Sequence, residues 1–275
     1  WLRGLPLDPL GKQALDSQLF FLEMIHTETE MFTDHLARLA YKSPQVLLLM
    51  TIPGVDFSTA QSILAMIGDW SRFPNADKAA AYFGLVPSTH QSAEKCYHGP
   101  ITKHGNGHAR WMLVQAAQHI DSHPGPIGVF FRRIAKRKNR NVAVVATARK
   151  LVAIAWHMLK NNEPYRYADP KSTEAKMSRL RVRATGMKRK GGNPKGQPRP
   201  TSYGTGNPTR AIQSLDSVYN KEGLPPLREL AAGEQKMCKE QQVDGYAAAI
   251  RQTRRVPRNE NKMKERKTTQ APSKR

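Results

Sequence analysis

The residues best suited to chemistry lie between Gly84 and Arg110, where hydroxyls, imidazoles and cations crowd a segment rich in Gly and Pro. Ser88, Thr89 and Ser92 supply hydroxyls. A serine hydroxyl set beside a phosphodiester can attack phosphorus and remain attached as a phosphoserine. Farther on, Gly105-Asn106-Gly107 turns into a helix, and the first N–H groups of a helix receive anions. Lys103 and Arg110 would face the same anion, Lys as a point charge and Arg as a planar fork. The same residues also read as an ordinary polar loop in which Asn caps a helix and the hydroxyls bond locally. His90, Cys96, His98, His104 and His108 offer metal-ligand types, and His104-x-x-x-His108 suits two ligands on one helical face. No C-x-x-C accompanies them, so no metal site is assigned to this chain.

A second segment bears on nucleic acid. The apolar run Val46 to Met50 leads into Ile52-Pro53-Gly54-Val55, and then into an apolar-periodic stretch ending near Gly68. The pattern predicts two helices joined by a Pro-Gly-Val turn, the second opened by Ser58 or Thr59: a helix-hairpin-helix. Gly54 would allow the turn its backbone conformation and let a phosphate approach the N–H groups of the second helix. Pro53, Gly54, Val55, Ser58 and Thr59 are therefore candidate DNA contacts that grip the backbone without reading bases. An ordinary helix–helix turn would be written the same way.

The charge balance supports a polyanionic partner. The chain holds 44 Lys and Arg against 22 Asp and Glu, a net charge of +22. Neutralising phosphates releases condensed counterions, which favours nucleic acid. A membrane partner is not expected, because no apolar run reaches the ~20 residues needed to span a bilayer. Cys96 and Cys238 lie far apart in unlike segments and read as reduced thiols, which points to a cytoplasmic protein; with DNA as the expected partner it would be nucleoid-associated. The chain opens on Trp1 with no signal-peptide layout and reads as part of a longer polypeptide.

These segments need a scaffold, and its periodicity is helical. Residues from about Pro9 to Tyr41 form one long amphipathic helix ended by Ser43-Pro44, with the character of a coiled-coil arm or a helix packed on its own domain. Asn75 or Asp77 caps a helix from Lys78 to Phe83, and residues 87–106 read as a polar loop. Further helices run from Ala109 to Ile120, through Phe130 and Ile134 after the break at His123-Pro124-Gly125-Pro126, and from Ala143 to Leu159. The basic run Arg132, Arg133, Lys136, Arg137 and Lys138 is a candidate contact for DNA or for a guide RNA. Residues 171–275 hold 25 of the 44 basic residues, so 169–275 reads as a disordered basic tail, with short helices expected only at Leu224 to Leu230 and Asp244 to Ile250. The expected architecture is all-α: a long helix over 1–43, a helical domain with a helix-hairpin-helix over 44–168, and the tail over 169–275.

Three blocks in order resemble the C-terminal half of transposases of the insertion-sequence-110, 116 and 902 family. They are Ile52-Pro53-Gly54-Val55 with Ala60, Ile63 and Gly68; Ala81-Tyr82-Phe83-Gly84-Leu85-Val86-Pro87; and Gln91-Ser92 with Ile101-Thr102-Lys103, Gly105-Asn106 and Arg110. The resemblance covers roughly Leu47 to Leu159. It implies a DNA recombinase in two parts. An N-terminal nuclease-like domain holds Mg2+ on acidic residues, and a C-terminal domain supplies a serine that becomes linked to DNA. It further implies choice of sites by a structured non-coding RNA, and assembly as a dimer or tetramer. On motif matching that serine is Ser92, with Ser88 as the fallback. Two departures stand out: Ala93 follows Ser92 where the family has Gly, and no acidic nuclease motif is present. No cofactor is therefore expected in this chain, which by itself should bind DNA without cutting it. The alternative is a non-catalytic nucleic-acid-binding module.

Overall fold

The structure is a computed structural model, and it describes residues 1–92, 95–187 and 209–257. Helix α1 runs from Pro9 to Lys42, 34 residues, opened by a proline in its first turn and stopped before Pro44. Only Ala37 and Ala40 of this helix are buried, so its C-terminal end is packed while Phe20, Ile25 and Phe32 stand exposed. Helix α2 (Pro44–Leu49) follows, with the Ser43 hydroxyl accepting from the Val46 N–H at 3.4 Å. Helix α3 (Phe57–Ile67) ends at Gly68 in the left-handed region, φ 61°, where a residue without Cβ carries no steric penalty. Helix α4 (Ala76–Tyr82) starts at Asn75, whose side chain accepts from the Lys78 N–H at 3.0 Å.

Next comes an antiparallel hairpin, β1 (Pro87–Ser92) with β2 (Lys95–Ile101), in which His90 opposes Tyr97 and Ser92 opposes Lys95. Helices α5 (Gly107–Gln118), α6 (Pro126–Arg137) and α7 (Arg140–Asn161) complete the central bundle. Helix α7 is its axis, contacting α2, α4, α5 and α6. It buries Leu151, Val152, Trp156 and Leu159, each large apolar side chain contributing roughly 1.5–3 kcal/mol. The Trp156 indole donates to the Phe73 carbonyl at 3.2 Å, so the one polar atom of this side chain is also satisfied.

The all-α class holds, with eleven α-helices and four short strands among the described residues. Four expectations need correction. Residues 87–101 are a hairpin, not a loop. The boundary at 168/169 does not separate a core from a tail. Helix α8 (Pro170–Thr185) lies along α1, where Arg183 bridges Glu30 and Asp34, each at 2.6 Å. Beyond it β3 (Thr209–Ile212), α9 (Leu215–Lys221), α10 (Ala232–Glu240), α11 (Asp244–Ala249) and β4 (Arg254–Pro257) form further structure. A buried ion pair, Arg181 to Glu222 at 2.7 Å, joins α8 to α9. The expected helix at 244–250 is present, whereas 224–230 is not helical. The remainder of the expected tail, 188–208 and 258–275, lies outside the described residues. Finally, α7 is long and apolar enough to cross a bilayer by length and composition. Its apolar faces are instead covered by its neighbours in the bundle.

Candidate functional site

Two chain segments meet at the base of the hairpin that carries Ser92. Gly84 has φ 65°, and a Cβ there would lie 2.2 Å from the His104 carbonyl oxygen. Gly105 has φ 110°, and a Cβ there would lie 2.1 Å from the Tyr82 carbonyl oxygen. Glycine at both positions is what lets the two backbones touch. The Thr102 N–H donates to the Val86 carbonyl at 2.9 Å and the Lys103 N–H to the Gly84 carbonyl at 3.3 Å. The Ala81–Pro87 and Ile101–Arg110 blocks, separate in sequence, thus form one hinge-like base.

Arg110 locks that base. Its guanidinium donates to the carbonyls of Lys103 at 3.1 Å and Phe83 at 3.3 Å. Its expected anion contact is therefore set against two main-chain acceptors. Lys103 adopts φ 55°, and its ammonium has no partner among the described residues. Asn106 caps α5 by accepting from the Ala109 N–H at 3.1 Å, and its amide lies 2.9 Å from the Met66 sulfur. The Ser88 hydroxyl donates across the hairpin to the Pro100 carbonyl at 3.1 Å, which ties it to the strand pairing. Ser92 ends β1. Its hydroxyl and Ala93 lie outside the described atoms, as do the side chains of His90, Cys96 and His98.

The Pro-Gly-Val turn occupies a different place. Gly54 has φ 77°, and a Cβ would sit 2.3 Å from the Ala116 carbonyl oxygen near the far end of α5. At 1.5 Å per residue, Ala116 is about 15 Å from Asn106 along that helix. The glycine is needed for helix contact as well as for the turn. Helix α3 begins at Asp56, whose carboxylate accepts from the Phe57 N–H at 2.8 Å, and not at Ser58 or Thr59. A capping carboxylate already occupies the end of α3 where a phosphate was expected. Ser58 is exposed, Thr59 and Val55 are buried, and Pro53 borders a cavity of about 620 Å³. The phosphate-gripping hairpin remains an expectation that this geometry does not display.

Lys176 of α8, buried, closes the same turn from beneath. Its ammonium donates to the carbonyls of Ile52 at 2.8 Å and Val55 at 3.0 Å, and to that of Met50. Burial pushes its pKa down to about 8. Beside the cavity, burial pushes the His123 imidazole down to about 4. Its Nδ1 accepts from the Gly125 N–H at 3.1 Å, which places the proton of the neutral ring on Nε2.

The basic run on α6 divides by role. Arg132 donates to the carbonyls of Asp121 at 2.5 Å and His123 at 3.0 Å, so it shapes the α5–α6 connection. Arg133 lies against the Phe130 ring, 5.7 Å from its centroid. Lys136, Arg137 and Lys138 are exposed and make no ion pair among the described residues. Lys138 borders a cavity of about 780 Å³ that reaches Pro87 and Gly99 to Ile101, so this end of the run adjoins the hairpin base. Sequence reasoning missed Arg149 and Lys150 on that cavity; two adjacent cations interrupting an apolar helix were the available signal. Nothing in the sequence pointed to Lys176. Among the described residues no three carboxylate, imidazole or thiol groups are placed to hold a metal ion.

Residues 46–128, from α2 to the first turn of α6, match the Transposase IS116/IS110/IS902 family. The resemblance read from the three sequence blocks is thus shown over this segment. The match takes in all three sequence blocks and both halves of the hairpin base. Over 166 residues the chain is 28% identical to the transposase for insertion sequence element IS1111A of Coxiella burnetii, covering 58% of this chain and 45% of that protein. Over 124 residues it is 32% identical to a pilin gene-inverting protein of Moraxella lacunata, covering 43% and 38%. The transposase for insertion sequence element IS1328 of Yersinia enterocolitica is 31% identical over 112 residues, covering 39% and 34%. The chain thus spans less than half the length of these relatives.

Proposed function

We propose that this chain is the serine-bearing part of a DNA recombinase acting in transposition, and that Ser92 is its nucleophile. The observation that carries the reading is the coincidence of the family match with the hairpin base. The residues that make Gly84, Gly105 and Arg110 fit one another are those that fix the strand on which Ser92 stands. Moving an insertion sequence and inverting a gene both require strands to be cut and rejoined. In the proposed step a bond forms between Ser92 Oγ and phosphorus while the bond from phosphorus to one deoxyribose oxygen breaks. The serine proton ends on the released deoxyribose hydroxyl. Rejoining runs in reverse with another strand's hydroxyl, so the phosphodiester energy is conserved and no nucleotide cofactor is consumed.

Lys103, two residues beyond β2 and without an ion-pair partner among the described residues, would offset phosphate charge, with Arg110 positioning the backbone beneath it. Mg2+ would be held by acidic residues on another part of the full protein. The exposed apolar face of α1 suits pairing with a second protomer in a dimer or tetramer, and the exposed end of α6 suits a guide RNA. The site of action would be the nucleoid. Supplying the acidic domain together with this chain should restore strand exchange on an insertion-sequence end. Restoration that persists unchanged in Ser92→Ala would leave the chain a binding module only.

A further inference from the structure

Two cavities that share two wall residues succeed one another along helix α7, as a groove in two segments. The first, about 780 Å³, starts at the hairpin base and follows α7 from Asn141 to Ala153. The second, about 640 Å³, continues from Lys150 to Asn161 and ends against α10. Phe130 and Lys150 border both. At 1.5 Å per residue the shared helix gives the groove a length of about 30 Å.

The charge in this groove is unbalanced in a specific way. Each carboxylate on its walls already has a guanidinium. Asp77 pairs with Arg149 at 2.9 Å, Glu163 with Arg166 at 2.9 Å and Arg228 at 2.6 Å, and Glu234 with Arg166. Lys138, Lys150 and Arg133, also on its walls, have no carboxylate partner among the described residues. Between these cations the walls are apolar: Val142, Val145, Ile154 and the half-buried face of Phe130. Spaced cations over an apolar, aromatic floor match a strand whose bases are unstacked, because a duplex presents phosphates and hides its base faces.

We infer that the α6–α7 groove seats a single-stranded nucleic acid, its phosphates on Lys138 and Lys150 and a base on Phe130, leading to the hairpin of Ser92. The inference rests on the proposed DNA-processing role and adds the form of the strand and its path. Most of the residues lining the groove lie beyond the family-matched segment.

The test uses the 275-residue chain and fluorescence anisotropy with three labelled probes: a single-stranded DNA, a single-stranded RNA of the same sequence, and the DNA duplex. The variants are Lys138→Gln with Lys150→Gln, Phe130→Leu, and Lys12→Gln with Lys42→Gln on α1 as a charge-matched control, each checked for an unchanged melting curve. The double lysine variant should bind a single strand at least tenfold more weakly. Its log–log salt slope should fall by about 1.4, near 0.7 for each phosphate contact. Phe130→Leu should weaken single strands about fivefold or more and the duplex less than twofold. The probe that loses more, DNA or RNA, names the strand. Single-strand binding within twofold of wild type in both variants would overturn the groove while leaving nucleic-acid binding intact. Failure of the unaltered chain to hold any probe at low salt would remove the DNA-processing role itself.

Discussion

Arg110 donates from α5 to the main-chain carbonyl of Lys103 at 3.1 Å, and so pins the exit of β2 to the start of the helix that follows. Two cations that the sequence would place on one anion are thus divided between positioning and exposure. Arg110→Met should cost about 1.5–3 kcal/mol, as for loss of hydrogen bonds from a charged donor. Thermal unfolding and proteolysis between Ser88 and Thr102 report that loss. The salt dependence of DNA binding should be unchanged, since Arg110 is not counted among the phosphate contacts. A lowered salt slope with an unchanged melting temperature would assign Arg110 to phosphate instead.

Gly54 carries a second structural prediction. Its φ of 77° and a Cβ position 2.3 Å from the Ala116 carbonyl exclude a branched side chain. Gly54→Val should destabilise the protein by roughly 3 kcal/mol or more, combining strained backbone with overpacking. Circular-dichroism melting measures it. Weakened DNA binding with an unchanged melting temperature would return the turn to the role of phosphate grip.

Lys176 makes the family segment depend on α8. Lys176→Met leaves the carbonyls of Met50, Ile52 and Val55 without their donor, at a cost of about 1–3 kcal/mol for buried groups left unpaired. Denaturant unfolding near pH 7 should show it. Because the folded pKa lies near 8 against an ordinary 10.5, the unfolded chain binds more protons between these values. The wild type should therefore gain stability relative to Lys176→Met as pH rises from about 8 to 10.5.

His123 gives the corresponding acid limb. Its folded pKa near 4 against an ordinary 6.5 means that the unfolded chain takes up the proton first. Stability should fall as pH drops from about 6.5 to 4, by roughly 3 kcal/mol from this group alone. His123→Asn keeps an acceptor near Nδ1, and comparing its pH–stability curve with the wild type isolates the contribution. Parallel curves would show that the imidazole is not held neutral.

Local signals in the sequence carried far into the structure. Asn75 and Asn106 cap the helices their positions suggested, Ser43-Pro44 ends the long helix, and Gly68 ends α3. The hairpin was illegible because Ser88, Thr89, His90 and Gln91 do not alternate apolar with polar, the pattern that marks a half-buried strand. Its pairing follows instead from the glycine contacts at its base, which join residues some twenty positions apart. Helix α8 was hidden by composition. Lys176, Arg181 and Arg183 look like tail charges until the carbonyls and carboxylates that receive them are seen. Asp56 was overlooked as a cap because Ser58 and Thr59, equally suitable types, stood two and three residues further on.

The most direct measurement is to map the protein–DNA link itself. The chain would be combined with its acidic counterpart and an insertion-sequence end, trapped under denaturing conditions, and digested with nuclease and protease. Mass spectrometry should find nucleotide phosphate on the peptide containing Ser92, and none in Ser92→Ala. A phosphorylated peptide centred on Ser88 or any other residue, or an adduct that survives Ser92→Ala, would contradict the assignment.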